Sequence, residues 1–122
     1  MSRFTEKIIV SLEPDGKKWR LEADFEYYTD LTPERKYIKI PAGFETDFAS
    51  IPKIFLPFLE YRDKFNKAAV IHDWLYHSKQ FDRKLADRIF FEAMEVLGIA
   101  KWKRYLFYYI VRIFGWRYYN ER

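Results

Sequence analysis

Two histidines, His72 and His77, are the side chains of this 122-residue chain best suited to exchanging protons near neutral pH. No cysteine accompanies them, which excludes a disulfide scaffold, a thiolate zinc site and a cysteine nucleophile together. His72 stands in the segment Ala68-Ala69-Val70-Ile71-His72-Asp73-Trp74-Leu75-Tyr76. Wound as a helix, that segment sets His72 in the middle of an apolar arc made by Phe65, Ala68, Ala69, Ile71, Leu75 and Tyr76, with Asp73 at its edge. A titratable ring is therefore aimed at a core. His77 falls well outside that arc, so a metal site built on both histidines is disfavoured.

The elements around His72 supply a partner. Asp63 is the expected N-cap of a helix ending near Tyr76, and Asp82 caps a second helix that runs to Leu97 and stops at Gly98. The linker is short, which predicts an antiparallel helical hairpin. His72 and Asp87 are equidistant from its middle, as are Tyr76 and Arg83, so His72 is expected beside Asp87 and Tyr76 beside Arg83. A carboxylate accepting the Nδ1 proton of a histidine fixes the tautomer and stabilises the imidazolium, as a general base acting through water requires. The competing reading is structural: a core histidine satisfied by Asp87, and an i,i+4 ion pair between Arg83 and Asp87. The second helix's expected apolar stripe is Leu85, Ala86, Ile89, Phe90, Ala93, Val96 and Leu97, with Asp87 on its rim.

Ahead of the hairpin the chain reads as strands. Lys18 to Glu26 alternate without fault, Trp19, Leu21, Ala23 and Phe25 on one face and charged residues on the other. Ile8, Val10 and Leu12 are the expected partner strand across the turn Glu13-Pro14-Asp15-Gly16, and a third strand covers about Lys36 to Ile40, ending at Pro41. Residues 41–62 form a long connector, a kind of segment that in compact domains often carries function. Within it Thr46, Asp47 and Ser50 offer a carboxylate and two hydroxyls for a metal or substrate contact. The same residues also suit a turn in which Asp47 caps following amides.

A third helix, about Ala100 to Phe114, is apolar almost all round. It opens a segment, residues 101–122, with six basic residues, one acidic residue and nine aromatics, so the net charge of +4 belongs to this end alone. Such a helix is either enclosed between sheet and hairpin or meets something else, a phage or host protein or a membrane surface. Nucleic acid is a poor fit, because the charge is modest and no recognised binding motif is present. No phosphate loop, dinucleotide fingerprint or nucleophile elbow occurs.

Two families resemble this sequence. The spelling His72-Asp73-x-x-Tyr76 on one helix and Ala86-Asp87-x-x-Phe90 on the next resembles the catalytic helix pair of secretory and parvoviral-type phospholipases. That resemblance implies His72 as general base, Asp87 as its orienter and Asp73 as a ligand for calcium or another divalent metal, with Asp47 a further candidate ligand. The family's glycine-rich calcium loop has no clear counterpart here. The wider resemblance covers about residues 4–117 through Pro41-Ala42-Gly43-Phe44-x-Thr46-Asp47-Phe48-Ala49-Ser50-Ile51-Pro52, then Ala69-x-x-His72-Asp73-Trp74-Leu75-Tyr76, Arg83-x-x-Ala86-Asp87-x-x-Phe90, and a last block holding Tyr109, Val111, Arg112, Phe114 and Gly115. These motifs look like a family of small phage and prophage proteins of unknown function, which implies a viral or mobile-element setting.

The sequence thus predicts a single α+β domain over 1–122. An N-terminal antiparallel sheet of three or four strands (1–40) and the connector (41–62) lead to a three-helix unit (63–122) containing the hairpin. His72, Asp87 and Asp73 are the catalytic candidates, Asp47, Thr46, Ser50, Tyr76 and Arg83 the binding candidates, and Asp73 and Asp47 the metal candidates. The first residues lack a signal-peptide h-region, and no apolar run reaches the ~18 residues of a spanning helix. A soluble protein of the host cytoplasm or the virion is the expectation. Its function is expected to be either ester or cell-envelope hydrolysis with His72 as base, or a non-enzymatic accessory role in which His72 and Asp87 hold the helices together.

Overall fold

The computed structural model describes residues 3–4, 10–12, 19–21, 24–32, 36–46 and 62–121. Six short strands precede three helices among them: β1 (Arg3–Phe4), β2 (Val10–Leu12), β3 (Trp19–Leu21), β4 (Phe25–Thr29), β5 (Lys36–Ile40), β6 (Glu45–Thr46), α1 (Arg62–Ser78), α2 (Arg83–Val96) and α3 (Lys101–Glu121). The class is α+β. The chain forms two compact units, Met1–Asp47 and Phe48–Arg122, which divide inside the expected connector.

In the N-terminal unit the strands make two three-stranded antiparallel sheets, ordered β1-β4-β5 and β2-β3-β6, where one sheet was expected. The hairpin prediction holds, with Val10 opposite Leu21 and Leu12 opposite Trp19. The unbroken strand over Lys18 to Glu26 does not: β3 and β4 belong to different sheets, and Asp24 between them receives the Ala42 amide at 2.8 Å instead of continuing a ladder. The alternation conceals this break because Leu21 and Phe25, on either side of it, are both buried. In β4 the period continues through buried Tyr27 and Thr29, and across the ladder Phe25 stands opposite Ile40, Tyr27 opposite Ile38 and Thr29 opposite Lys36 of β5.

β5 has the predicted bounds and ends at Pro41. There Phe44 N–H donates to the Pro41 carbonyl at 3.2 Å across a turn whose third residue, Gly43, has φ 91°, a left-handed value open to glycine. The turn brings Glu45 and Thr46 back as β6 against β3. The remainder of the expected connector, including Asp47 and Ser50, lies outside the described residues.

The helical unit follows the predicted order with adjusted ends. α1 starts at Arg62, so Asp63 falls inside its first turn, and it continues past Tyr76 to Ser78. It closes when the Lys79 amide, at φ 54°, donates to the Leu75 carbonyl at 3.0 Å. Asp82 caps α2 as predicted, accepting from the Leu85 amide at 2.8 Å. At the other end Gly98 (φ 77°) donates to the Glu95 carbonyl and Ile99 to that of Met94, a Schellman closure.

The buried stripe of α2 is Ala86, Asp87, Ile89, Phe90, Ala93 and Met94. It is rotated away from Val96, which is 40% exposed, because α1 and α3 both pack on this helix and a broader face must be covered. The rotation moves Asp87 from the rim to the interior. α3 runs seven residues beyond the expected Phe114 and is not enclosed on all sides. Phe107, Ile110 and Val111 are buried, whereas Trp102, Tyr105, Tyr109, Ile113, Phe114 and Trp116 are exposed. Among the described residues no helix is long and apolar enough to cross a membrane.

The caps generate a quantitative expectation. A Cβ at Gly98 would meet nothing within 4 Å, so Gly98→Ala carries only the backbone cost of a left-handed residue, about 1 kcal/mol. Asp82→Ala costs roughly 1 kcal/mol through the lost cap. Denaturant unfolding of the two single variants and the double variant should show additive losses, since the sites are at opposite ends of α2.

Candidate functional site

Asp87 is completely buried in the middle of the helical unit, and the two helices that flank α2 supply it with donors. From α1, the His72 ring places Nε2 2.6 Å from Oδ1, and the Tyr76 hydroxyl donates to the same oxygen. From α3, Arg112 Nη1 donates to Oδ2 at 2.8 Å. Arg83, one turn before Asp87 on α2, lies 3.7 Å from Oδ2. Its guanidinium is instead committed to the Val111 and Arg112 carbonyls at 3.1 to 3.2 Å, tying the start of α2 to the backbone of α3.

The predicted pairing of His72 with Asp87 is therefore present, with the ring turned the other way. Nε2, not Nδ1, meets the carboxylate. Tyr76 and Phe90 hold the ring in place, their centroids 4.1 and 4.7 Å from its own. Tyr76 lies beside Arg83 as expected, the Arg83 guanidinium acting on its hydroxyl, and it donates that hydroxyl to Asp87. The expected Arg83–Asp87 ion pair is the longer contact, and Arg112 takes the closer place.

The electrostatics follow from this arrangement. Burial pushes the Asp87 carboxyl up, but the hydrogen bonds from His72, Tyr76 and Arg112 outweigh it and hold the group below the ordinary carboxylate range. Tyr76 moves far in the opposite direction, pushed up by burial and by the Asp87 charge, so it remains a neutral donor. The hydrogen bond to Asp87 likewise raises Arg112 and keeps it charged.

Close packing at one glycine permits the arrangement. A Cβ built on Gly115 of α3 would lie 2.5 Å from the Tyr76 hydroxyl oxygen and 3.2 Å from its Cε2. Tyr119, one turn on, meets the Tyr76 ring edge-on at 5.2 Å and donates from its hydroxyl to the Phe81 carbonyl. Neither Arg112 nor Gly115 is picked out by reasoning from catalytic residue types. Their signal is the block of Tyr109, Val111, Arg112, Phe114 and Gly115, where a lone glycine interrupts an otherwise bulky helix.

The other candidates sit as follows. Asp73, next to His72, is buried at 2% exposure. Thr46 belongs to the N-terminal unit as part of β6, and Asp47 and Ser50 fall outside the described residues. His77 is exposed, its ring 5.7 Å from that of Trp74. Among the described residues no three His, Cys, Asp or Glu side chains gather to hold a metal ion. Asp73 on its own falls far short of the six to eight oxygens of a calcium shell. The described residues therefore do not fit the calcium that the phospholipase resemblance implies.

A family model described as "Protein of unknown function (DUF1353)" matches residues 19–111. This chain belongs to the DUF1353 family. The matched stretch contains His72, Asp73, Tyr76, Arg83 and Asp87 and ends one residue before Arg112. A relative described as "Uncharacterized protein y4iH", from Sinorhizobium fredii (strain NBRC 101917 / NGR234), is 34% identical over 113 residues, which is 88% of this chain. The DUF1353 chain spans 44% of the length of that relative. No solved structure matches.

Two measurements follow from the geometry. Gly115→Ala forces Tyr76 off Asp87 or α3 away from α1, and the overpacking should cost about 1–3 kcal/mol, well beyond the effect of alanine at Gly98. The second concerns acid. Because the folded pKa of Asp87 is lowered, its stabilising contribution is complete above the unfolded value of about 3.9 and is lost as pH falls through the folded value. The stability difference between the native protein and Asp87→Asn should thus be largest near neutrality and shrink below about pH 4; a difference independent of pH would contradict it.

Proposed function

We propose that this chain is a small hydrolase acting on an ester, of a lipid or another cell-envelope component, with His72 as general base. The observation that carries the reading is the Asp87 carboxylate on His72 Nε2, which leaves Nδ1 as the ring's lone-pair nitrogen. With Nε2–H donated to Asp87, Nδ1 takes a proton from a water molecule as its oxygen forms a bond to the ester carbonyl carbon. Asp87 stabilises the imidazolium so produced, and Tyr76 and Arg112 keep Asp87 ionised while that happens. As the tetrahedral intermediate breaks its bond to the alcohol, the imidazolium returns the proton to the departing oxygen. No step is routed through a metal. The motifs running from Pro41 to Gly115 support a phage or prophage setting, and with it a place of action in the host cytoplasm or the particle.

A second reading rests on burial. His72 is 1% exposed and Asp87 fully buried, so the same residues also suit a purely structural network in a non-enzymatic phage accessory protein. Such a network holds three helices in register through one carboxylate.

Hydrolysis of p-nitrophenyl esters of increasing acyl length by the native protein, His72→Gln and Asp87→Asn separates the two. The hydrolase reading expects turnover by the native protein and a loss of roughly 10²–10⁴-fold in His72→Gln with the fold retained. The structural reading expects no turnover, with both substitutions lowering stability by about 1–3 kcal/mol.

A further inference from the structure

Five large side chains of α3 take no part in the contacts around Asp87. Trp102, Tyr105, Tyr109, Ile113 and Trp116 are 59, 44, 56, 62 and 57% exposed. At 100° per residue they fall within an arc of about 80°, a ridge roughly 21 Å long from Trp102 to Trp116. The steps along it are 3, 4, 4 and 3 residues, a mean of 3.5, which is the repeat that lets two helices wind around each other. The order of the steps also reads the same from either end, so residues 102 and 116, like 105 and 113, are equidistant from 109. A second copy laid antiparallel, Tyr109 against Tyr109, therefore sets Trp102 opposite Trp116 and Tyr105 opposite Ile113, and every ridge side chain has a counterpart. We propose that this ridge is the interface of a two-fold antiparallel homodimer, closed by the same surface on both copies.

The area suffices for such a pair. A fully covered aromatic side chain buries about 150–250 Å², so the exposed parts of these five amount to roughly 500–600 Å² on each copy. Covering both removes about 1,000–1,200 Å² from water, the lower limit of a specific interface, and suits a dissociation constant on the order of micromolar. The ridge is also ordered before it meets a partner: Tyr105 and Tyr109 stack at 6.4 Å, and Tyr105 rests on Phe91 of α2 at 5.0 Å. The cations of α3 do not oppose the pairing. Arg112 is engaged with buried Asp87, Arg104 with the Ile99 carbonyl and Glu95, and Lys103 is buried. Lys101 is exposed, and in the antiparallel pair its two copies stand at opposite ends. A parallel pair would bring them together and align the two helix dipoles, both of which disfavour it. The dimer goes beyond the hydrolase reading and does not rest on it.

Sedimentation equilibrium over a range of concentrations reads the mass directly. Above micromolar concentration the native chain should reach twice its 15.1 kDa. Tyr109→Arg sets two guanidinium groups against each other at the two-fold axis and should weaken the dimer at least about tenfold, with an unchanged far-UV circular dichroism spectrum. Trp102→Ser/Trp116→Ser should weaken it as well, by removing both ends of the ridge. Because the chain has no cysteine of its own, a short thiol-specific cross-linker then tests the direction. Tyr105→Cys mixed with Ile113→Cys should yield a cross-linked pair, whereas two copies of Tyr105→Cys hold their thiols roughly 12 Å apart along the axis and should yield little. A native chain that stays monomeric well above micromolar concentration would overturn the proposal. So would a dimer that both ridge variants leave intact, or efficient cross-linking of Tyr105→Cys to itself. A monomer that instead sediments with lipid vesicles through these residues would assign the face to a membrane surface.

Discussion

A carboxylate buried without any exposure is the constraint around which the helical unit is organised. Removing an ion of this size from water costs several kcal/mol even after relaxation, and only close donors offset it. Asp87 has them from His72 and Tyr76 on α1 and from Arg112 on α3. That requirement accounts for several features that otherwise look unrelated. It explains why the buried face of α2 is turned toward Asp87, and why α3 continues past Phe114 so that Arg112 lies inside a helix rather than at its frayed end. Tyr76 could not reach the carboxylate past a side chain on α3, which accounts for the lack of one at Gly115.

The proposed hydrolysis depends on which way the imidazole faces. With Nε2 on the Asp87 carboxylate, Nδ1 is the nitrogen that the proposed step uses. Tyr76 and Phe90 pack against the ring and restrict its turning, so the orientation is built in by packing as much as by the hydrogen bond. The aromatic residues thus fall into two groups: Tyr76 and Phe90 pack around His72, and Trp102, Tyr105, Tyr109 and Trp116 of α3 are exposed.

How much of this was legible in the sequence depended on the distance over which each feature is decided. Asp82, Gly98 and Pro41 act on their own backbone neighbourhood, and the elements they bound were read correctly. The meeting of His72 and Asp87 was legible too, because a short linker makes height along a helical hairpin a matter of counting. The break between β3 and β4 was not, since burial of Leu21 and Phe25 preserves the alternation while the strand changes partners. Arg112 and Gly115 lie 25 and 28 residues beyond Asp87, and no periodicity within α3 distinguishes an arginine that reaches a buried carboxylate from one that faces solvent. The rotation of α2 likewise depends on two neighbours at once, which a single helical wheel does not represent.

The turn between α1 and α2 carries a consequence of its own. Lys79 holds a left-handed conformation that a side chain makes unfavourable by roughly 1 kcal/mol, and its ammonium stands 5.4 Å above the ring of Tyr119 near the far end of α3, a contact of about the same size. The two nearly cancel, so lysine and glycine are close to equal in free energy at this position. They differ in connectivity: glycine would make the turn a matter for the hairpin alone, whereas lysine makes its ease of closing depend on whether the third helix is already in place.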